Sequence, residues 1–189
     1  MIFRFLAFIG AMLAVRPCLA QTDSAAFQIT PFVNVNAGGI FGEQTTGTIL
    51  TLVSGVRMNR FFTGVGAGYE IDDYWKSAPL VAVLGYDIVR GRNSVFYTQM
   101  NGGFAKAWAR RGVETENFYR HDGGYQLHPM AGLRMGGARW HMYFQFGYRI
   151  QHFHYSQEVR NWIWGYPSGT VTIHQRSDRV SFTVGFGWG

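Results

Sequence analysis

From Phe61 to Asp72 the chain alternates residue by residue. Phe61, Thr63, Val65, Ala67, Tyr69 and Ile71 take the odd positions, and after Phe62 the even ones are Gly64, Gly66, Gly68, Glu70 and Asp72. A period of two marks a β-strand, whose side chains point to opposite faces in turn. One face here is apolar; the other is glycine or carboxylate. In a soluble sandwich the apolar face would need a core that also receives large residues from a second sheet. A reverse face of glycine and isolated charge suits the narrow interior of a closed barrel, with the apolar side turned outward to lipid.

The same reading along the chain gives eight segments and an expected fold: an all-β, eight-stranded antiparallel transmembrane barrel. The first, about Ala26–Ala37, sets Phe27, Ile29, Val33 and Val35 against Gln28, Thr30, Asn34 and Asn36. The second, about Thr48–Met58, carries Leu50, Leu52 and Val56 on one face and turns at Asn59-Arg60 into the third. The fourth, about Pro79–Ile88, opposes Leu80, Ala82, Leu84, Tyr86 and Ile88 to Gly85 and Asp87; the fifth, about Ser94–Lys106, follows the turn Arg90–Asn93. The sixth, about Gly124–Met135, places Tyr125, Leu127, Ala131 and Leu133 opposite Gln126, His128, Gly132 and Arg134. The seventh opposes Trp140, Met142, Phe144, Phe146, Tyr148 and Ile150 to His141, Tyr143, Gln145, Gly147, Arg149 and Gln151. The last opposes Val180, Phe182, Val184, Phe186 and Trp188 to Ser181, Thr183, Gly185 and Gly187.

Joints near 59–60, 89–93 and 136–139 are short, and those near 38–47, 72–78, 107–123 and 156–178 are long. This is the alternation expected of outer-membrane barrels with short periplasmic turns and long outer loops. Composition agrees: charged residues make up 15% and aromatics 17%, against about 25% charged in ordinary soluble domains. The formal charge is +6, but the basic residues are scattered and no nucleic-acid-binding motif accompanies them. At the start, Arg4, the apolar run Phe5–Val15 and Cys18-Leu19-Ala20 read as a secretory signal peptide over residues 1–20, leaving 21–189 as the barrel domain. The remainder then has no cysteine for a disulfide or a thiol nucleophile.

Several blocks carry a resemblance: Phe62-Thr63-Gly64-Val65-Gly66-Ala67-Gly68-Tyr69-Glu70, Pro79-Leu80-Val81-Ala82, Gly123 through Gly132, and Gly147-Tyr148-Arg149-Ile150-Gln151. In their order and spacing the chain resembles the small outer-membrane β-barrel proteins common in Bacteroidota. The resemblance implies an eight-stranded barrel of the OmpA/OmpX-like type in the cell outer membrane. It implies no reaction and no cofactor. One departure is Gly189 after Trp188, where such barrels usually finish on an aromatic residue.

The inward-facing Arg57, Glu70, Asp87, Arg134 and Arg149, with His128 and Gln145, would crowd a lumen that eight strands leave just wide enough for side chains to fill. Since buried charge needs a partner, they are expected to form an ion-paired plug, with Arg57, Arg134 and Arg149 facing Glu70 and Asp87. A narrow gated pore is the competing use. Trp140, Tyr148, Trp188 and Tyr125 read as interfacial girdle aromatics.

Near the outer end of the seventh segment, His154 and Ser156 stand with Asp178 at the start of the eighth, the one triad-like set in the sequence. The His-x-Ser element is similar to that of outer-membrane lipid A 3-O-deacylases, but Gln157 stands where that family often has Asn. A polar strand end at the headgroup level is the favoured reading. The protein is accordingly expected to be no enzyme. His152 and His154 share a face, but no third ligand has a defined spacing, so no metal is expected. Gly165-Tyr166-Pro167-Ser168-Gly169, flanked by Asn161-Trp162-Ile163-Trp164 and Thr170-Val171-Thr172-Ile173, reads as a hairpin projecting past the membrane. It would expose Trp162, Ile163 and Trp164 to the outer leaflet or to a partner, with free edges open to strand addition. Arg110-Arg111 and Arg120 add outward positive charge suited to lipopolysaccharide or glycans. The expected partners are thus outer-membrane lipids, lipopolysaccharide and an external protein or glycan, and the barrel is expected to be monomeric.

Overall fold

In a computed structural model the described residues are 29–42, 45–73, 75–109, 118–137, 139–160 and 167–189. They form eight strands: β1 (Ile29–Phe41), β2 (Thr46–Met58), β3 (Phe61–Asp72), β4 (Trp75–Arg90), β5 (Ser94–Ala109), β6 (Phe118–Gly136), β7 (Trp140–Arg160) and β8 (Pro167–Trp188). Each pairs antiparallel with its sequence neighbour, and β1 pairs with β8, so the sheet closes on itself. No helix among the described residues is long and apolar enough to cross a membrane, which says nothing of a crossing by strands. The expected leader, residues 1–20, lies outside the described residues.

Alternation sorts the side chains as the sequence suggests. Val65, Leu80, Leu84, Phe104 and Phe146 are exposed on the outer wall, whereas Asn34, Asn36, Glu70, Gln99, Asn101 and Gln145 are buried within. Trp140, Trp188, Tyr125 and Tyr148 all point outward, with Trp140 stacked on Phe186 at 5.1 Å. At one rim the strands join through tight turns, where Asn59 adopts a left-handed φ of 56° that its short polar side chain tolerates. Inside the wall, Gly55 lies against Gly64. A Cβ on either would sit 2.1 or 2.4 Å from a backbone oxygen of the neighbouring strand.

The interior also holds rings. Phe32, Phe62, Tyr97 and Tyr143 pack edge to face at 5.7–6.4 Å around Val53 and Val83, in the half nearest the turns. Glycine at the paired position of the adjacent strand makes room for them: the Phe62 ring lies over Gly85, where a Cβ would come within 2.0 Å of it. The narrow interior expected from faces of glycine, charge and polar residues thus also carries an aromatic layer.

The long joints expected from the sequence are mostly strand. β3 and β4 are separated by Asp73 and Tyr74 alone, and β1 and β2 only by 42–45. Here the Asp72 carboxylate accepts from Trp75 N and the Asp73 carboxylate from Thr46 N. Beyond the apolar belt the backbone keeps its ladder, because an unpaired peptide would have to find other partners for the same groups. The residues 110–117 and 161–166 are the remaining long connections.

Candidate functional site

Two regions carry concentrated chemistry: the interior of the barrel and the extension of β7 and β8. At the loop end of the interior, Arg149 on β7 is almost fully buried and pairs with Glu70 on β3 across the lumen. Its other terminal nitrogen donates to Gln126 and, at 2.9 Å, to Gln151. Ser77 Oγ donates to the second Glu70 oxygen at 2.8 Å. Beside this pair Arg179 on β8 meets Asp72 on β3 at 2.6 Å, and Arg179 Nε donates to Ser177 at 2.7 Å.

A neutral layer follows. His128 Nε2 lies 2.7 Å from Ser181 Oγ, Thr183 donates to Gln145 at 2.9 Å, and Gln145 donates to Tyr97 Oη at 2.8 Å. At the turn end Asp87 on β4 is fully buried and gathers Arg134 at 3.2 Å, Arg90 at 2.9 Å and Arg57 at 4.0 Å. Arg57 also stacks its guanidinium over Phe32 and Phe62, 5.5 and 5.6 Å from their centroids.

The five charges singled out in the sequence thus divide into two clusters at opposite ends. Arg149 faces Glu70, while Arg57 and Arg134 face Asp87. The sequence reading missed Arg90, Arg179 and Asp72. Arg90 sits in a turn region, and Asp72 and Arg179 were assigned to the margins of long loops that are strand instead.

His154, Ser156 and Asp178 are not brought together. His154 pairs with His174 and stands 4.5 Å from its ring, Ser156 pairs with Thr172, and Asp178 pairs with Ile150. Four register steps separate His154 from Asp178, about 13 Å along the ribbon. The Asp178 carboxylate is engaged by Arg176 Nε at 2.9 Å. Among the described side chains, Asp178 is therefore not placed to fix the His154 tautomer. His152 lies flat on Tyr125 at 4.3 Å, and no group of three or more metal-binding side chains converges among the described residues.

The extension is flanked on its β7 side by β6 as far as Phe118↔Gln157, and only its tip beyond that pair is a two-stranded ribbon of β7 and β8. β7 and β8 pair without a break from Trp140↔Trp188 to Val159↔Gly169, then shift register to Arg160↔Pro167. Thr170, Val171, Thr172 and Ile173 face Glu158, Gln157, Ser156 and Tyr155 instead of Asn161–Trp164. The expected projecting residues Trp162, Ile163 and Trp164 lie outside the described residues. Arg110 and Arg111 do too, as does the side chain of Arg120. Since β1 pairs with β8 only from Trp188 to Val180, the β8 edge beyond it has no strand partner on that side among the described residues. From Pro167 to Asp178 this edge runs about 40 Å.

No family model and no curated protein sequence matches the chain. Among solved structures it is similar to Neisserial surface protein A (NspA), at 12% identity, over 84% of this chain and 97% of that one, with a TM-score of 0.56. A structure described as a de novo designed transmembrane β-barrel aligns over 84% of this chain and 94% of its own, at 12% identity and a TM-score of 0.41. The first likeness concerns the fold, and with the closed antiparallel topology it places the chain in the class of small outer-membrane-type β-barrels.

Proposed function

We propose that the protein is a small barrel of the bacterial outer membrane, with a structural or surface-binding role and no catalytic one. In this reading its lumen is sealed and its β7–β8 ribbon faces outward. The observation that carries it is the ribbon: two strands continue well past the wall and present the β8 edge from Pro167 to Asp178. Unpaired edge N–H and C=O groups accept an added strand, and native proteins usually cover or blunt such an edge. A protein with an extended segment is the partner best suited to the edge. Glycans and lipopolysaccharide are suited to the basic outer loop.

The outward apolar wall, the girdle aromatics and the short turns at one rim support this orientation, with both termini periplasmic. The Bacteroidota-type resemblance accords with it. The filled lumen supports a plug over a pore, since ion pairs occupy both ends, rings share the turn end and a neutral hydrogen-bonded layer lies between.

Removing the ribbon beyond the Ser156↔Thr172 pair and closing it with a Gly-containing turn tests the proposal. The truncated protein should refold in detergent and keep its heat-dependent gel shift, while cells carrying it lose binding to surface partners relative to the full chain. Unchanged surface binding by the folded truncation would remove the adhesive role. Loss of folding would place the ribbon in the wall.

A further inference from the structure

At the loop end of the barrel Arg149 and Arg179 face the lumen, but two lysines face out. Alternation puts Lys76 on β4 and Lys106 on β5 on the outer wall with Leu80, Leu84 and Phe104, Lys106 exposed and Lys76 half-buried. Along the outward face of β5, exposed Phe96, Met100 and Phe104 precede Lys106. At about 3.3 Å per residue and a tilt of about 45°, the stretch from Phe96 to Lys106 rises about 23 Å along the barrel axis. The apolar band of an outer-membrane barrel is about 25 Å tall, so Lys106 stands where acyl chains give way to headgroups.

The two lysines are neighbours. Lys76 pairs with Trp108 and Ala78 with Lys106, so they stand diagonally on one face, about 7–8 Å apart at the backbone and within reach of each other's long side chains. Nothing nearby offsets their charge. Glu70, Asp72 and Asp87, the carboxylates of β3 and β4, are buried inside, and β5 has none. Neither lysine has an ion-pair partner among the described residues, whereas Arg176, an outward cation of β8, is held by Asp178. Two ammonium groups at this spacing repel unless an anion lies between them. Trp108 shares their face and meets Tyr69 at 6.1 Å, so an aromatic pair borders the lysines, as amphipathic rings do at headgroup level.

We propose that Lys76 and Lys106 together bind the phosphomonoester of a membrane-lipid headgroup, with Trp108 and Tyr69 packed against the lipid beside it. A phosphomonoester carries close to two negative charges at neutral pH and three acceptor oxygens, which matches two ammonium groups with three donors each. Depth selects a lipid as the source: the site opens sideways onto the wall, where acyl chains lie along Leu80 and Phe104 while the phosphate meets the lysines. Free phosphate has nothing to set against that wall. This site rests on the membrane reading above, which it deepens by naming a lipid position on the wall, away from the ribbon and the basic outer loop. With the loop end outward, the phosphorylated glycolipid of lipopolysaccharide has this chemistry.

Lipid A is the probe, titrated into refolded full-length protein in uncharged octyl glucoside micelles and read by native mass spectrometry. Binding should saturate and weaken with added salt. Lys76→Gln and Lys106→Gln should each raise the dissociation constant about fivefold and the double substitution about thirtyfold, with the heat-dependent gel shift kept. Lipid A stripped of its phosphates should bind weakly and equally to all variants, and inorganic phosphate at the same concentration should not displace the phosphorylated lipid. Unchanged affinity in the double variant overturns the site while leaving the barrel in the membrane, and so does equal affinity for the stripped lipid. Displacement by inorganic phosphate at equal concentration makes this a free-anion site and overturns the lipid assignment. Protein that stays folded and soluble without detergent overturns the membrane reading and the lipid site with it.

Discussion

The two ends of the lumen bury charge in different ways. At the loop end the count is balanced, with Arg149 on Glu70 and Arg179 on Asp72, and each pair bridges opposite sides of the barrel. At the turn end three arginines crowd one carboxylate, and the nearest further support for Arg57 is aromatic. A balanced pair is mutually dependent: remove one member and the other is left charged in a dry interior. A surplus cluster is redundant in its majority partner, because losing one arginine relieves like-charge repulsion as well as breaking a contact. Similar residues on the same fold should therefore respond to substitution very differently.

The largest expected effect tests the balanced end. Glu70→Ala leaves Arg149, 1% exposed, facing its amide partners alone, and should cost about 3–5 kcal/mol of unfolding free energy, read by denaturant titration in detergent micelles. The paired change Glu70→Leu with Arg149→Met should recover most of the loss, since an apolar pair of similar volume substitutes well for a buried ion pair. A loss below about 1 kcal/mol for Glu70→Ala would mean that water reaches Arg149 and that the loop end is open.

A smaller effect is expected at the surplus end. Arg57→Met keeps the apolar stem against Phe32 and Phe62 but gives up the cation–π contacts and the 4.0 Å approach to Asp87. The cost should be about 1 kcal/mol in the same titration, because Arg90 and Arg134 still hold the carboxylate. If Arg57→Met matched Glu70→Ala, the two ends would be equivalent and the comparison would fail.

How much of this was legible in the sequence follows from what each residue's neighbours are. The strand Phe61–Asp72 was readable to its last residue, because glycine on one face and apolar side chains on the other leave no other period. The overhang of β7 and β8 was not. There His152, His154 and Ser156 alternate with Phe153 and Tyr155, and the polarity inverts, with Phe153 buried against Trp75 and the histidines on the outer face, so the apolar-out period no longer guides the reading. The inward orientation of Arg57, Glu70, Asp87, Arg134 and Arg149 was legible from alternation alone. Which of them meet was not, since contacts across a lumen depend on strand tilt and shear, and Asp72 meets Arg179 from more than a hundred residues away. Tyr143 falls on the inward face by alternation, whereas Phe62 points inward against the apolar-out rule, and only Gly85 paired with it hinted at the space.

Steady conductance provides the next, smaller signal. With ion pairs at both ends, rings at the turn end and a neutral hydrogen-bonded layer between, purified protein in a planar bilayer should show almost no persistent current. Glu70→Ala with Arg149→Ala removes the balanced plug while leaving the turn-end cluster in place, so brief openings should become more frequent without a large stable channel. Large stable channels in the unaltered protein would show that neither end seals the lumen.

The smallest expected effect lies outside the lumen altogether, on the ribbon, where His154 and Ser156 have neither the burial nor the carboxylate that organises the interior clusters. A serine nucleophile needs a histidine to take its proton and an acid to hold that histidine's tautomer. Asp178 stands four register steps from His154 and is engaged by Arg176, while the ring beside His154 is another imidazole, His174. Incubation of refolded protein with lipid A should therefore leave the product mass unchanged, and His154→Ala and Ser156→Ala should be indistinguishable from the unaltered chain. Loss of one acyl chain that both substitutions abolish would show that the ribbon rearranges on lipid to bring an acid to His154, and that its chemistry depends on membrane contact in a way the interior's does not.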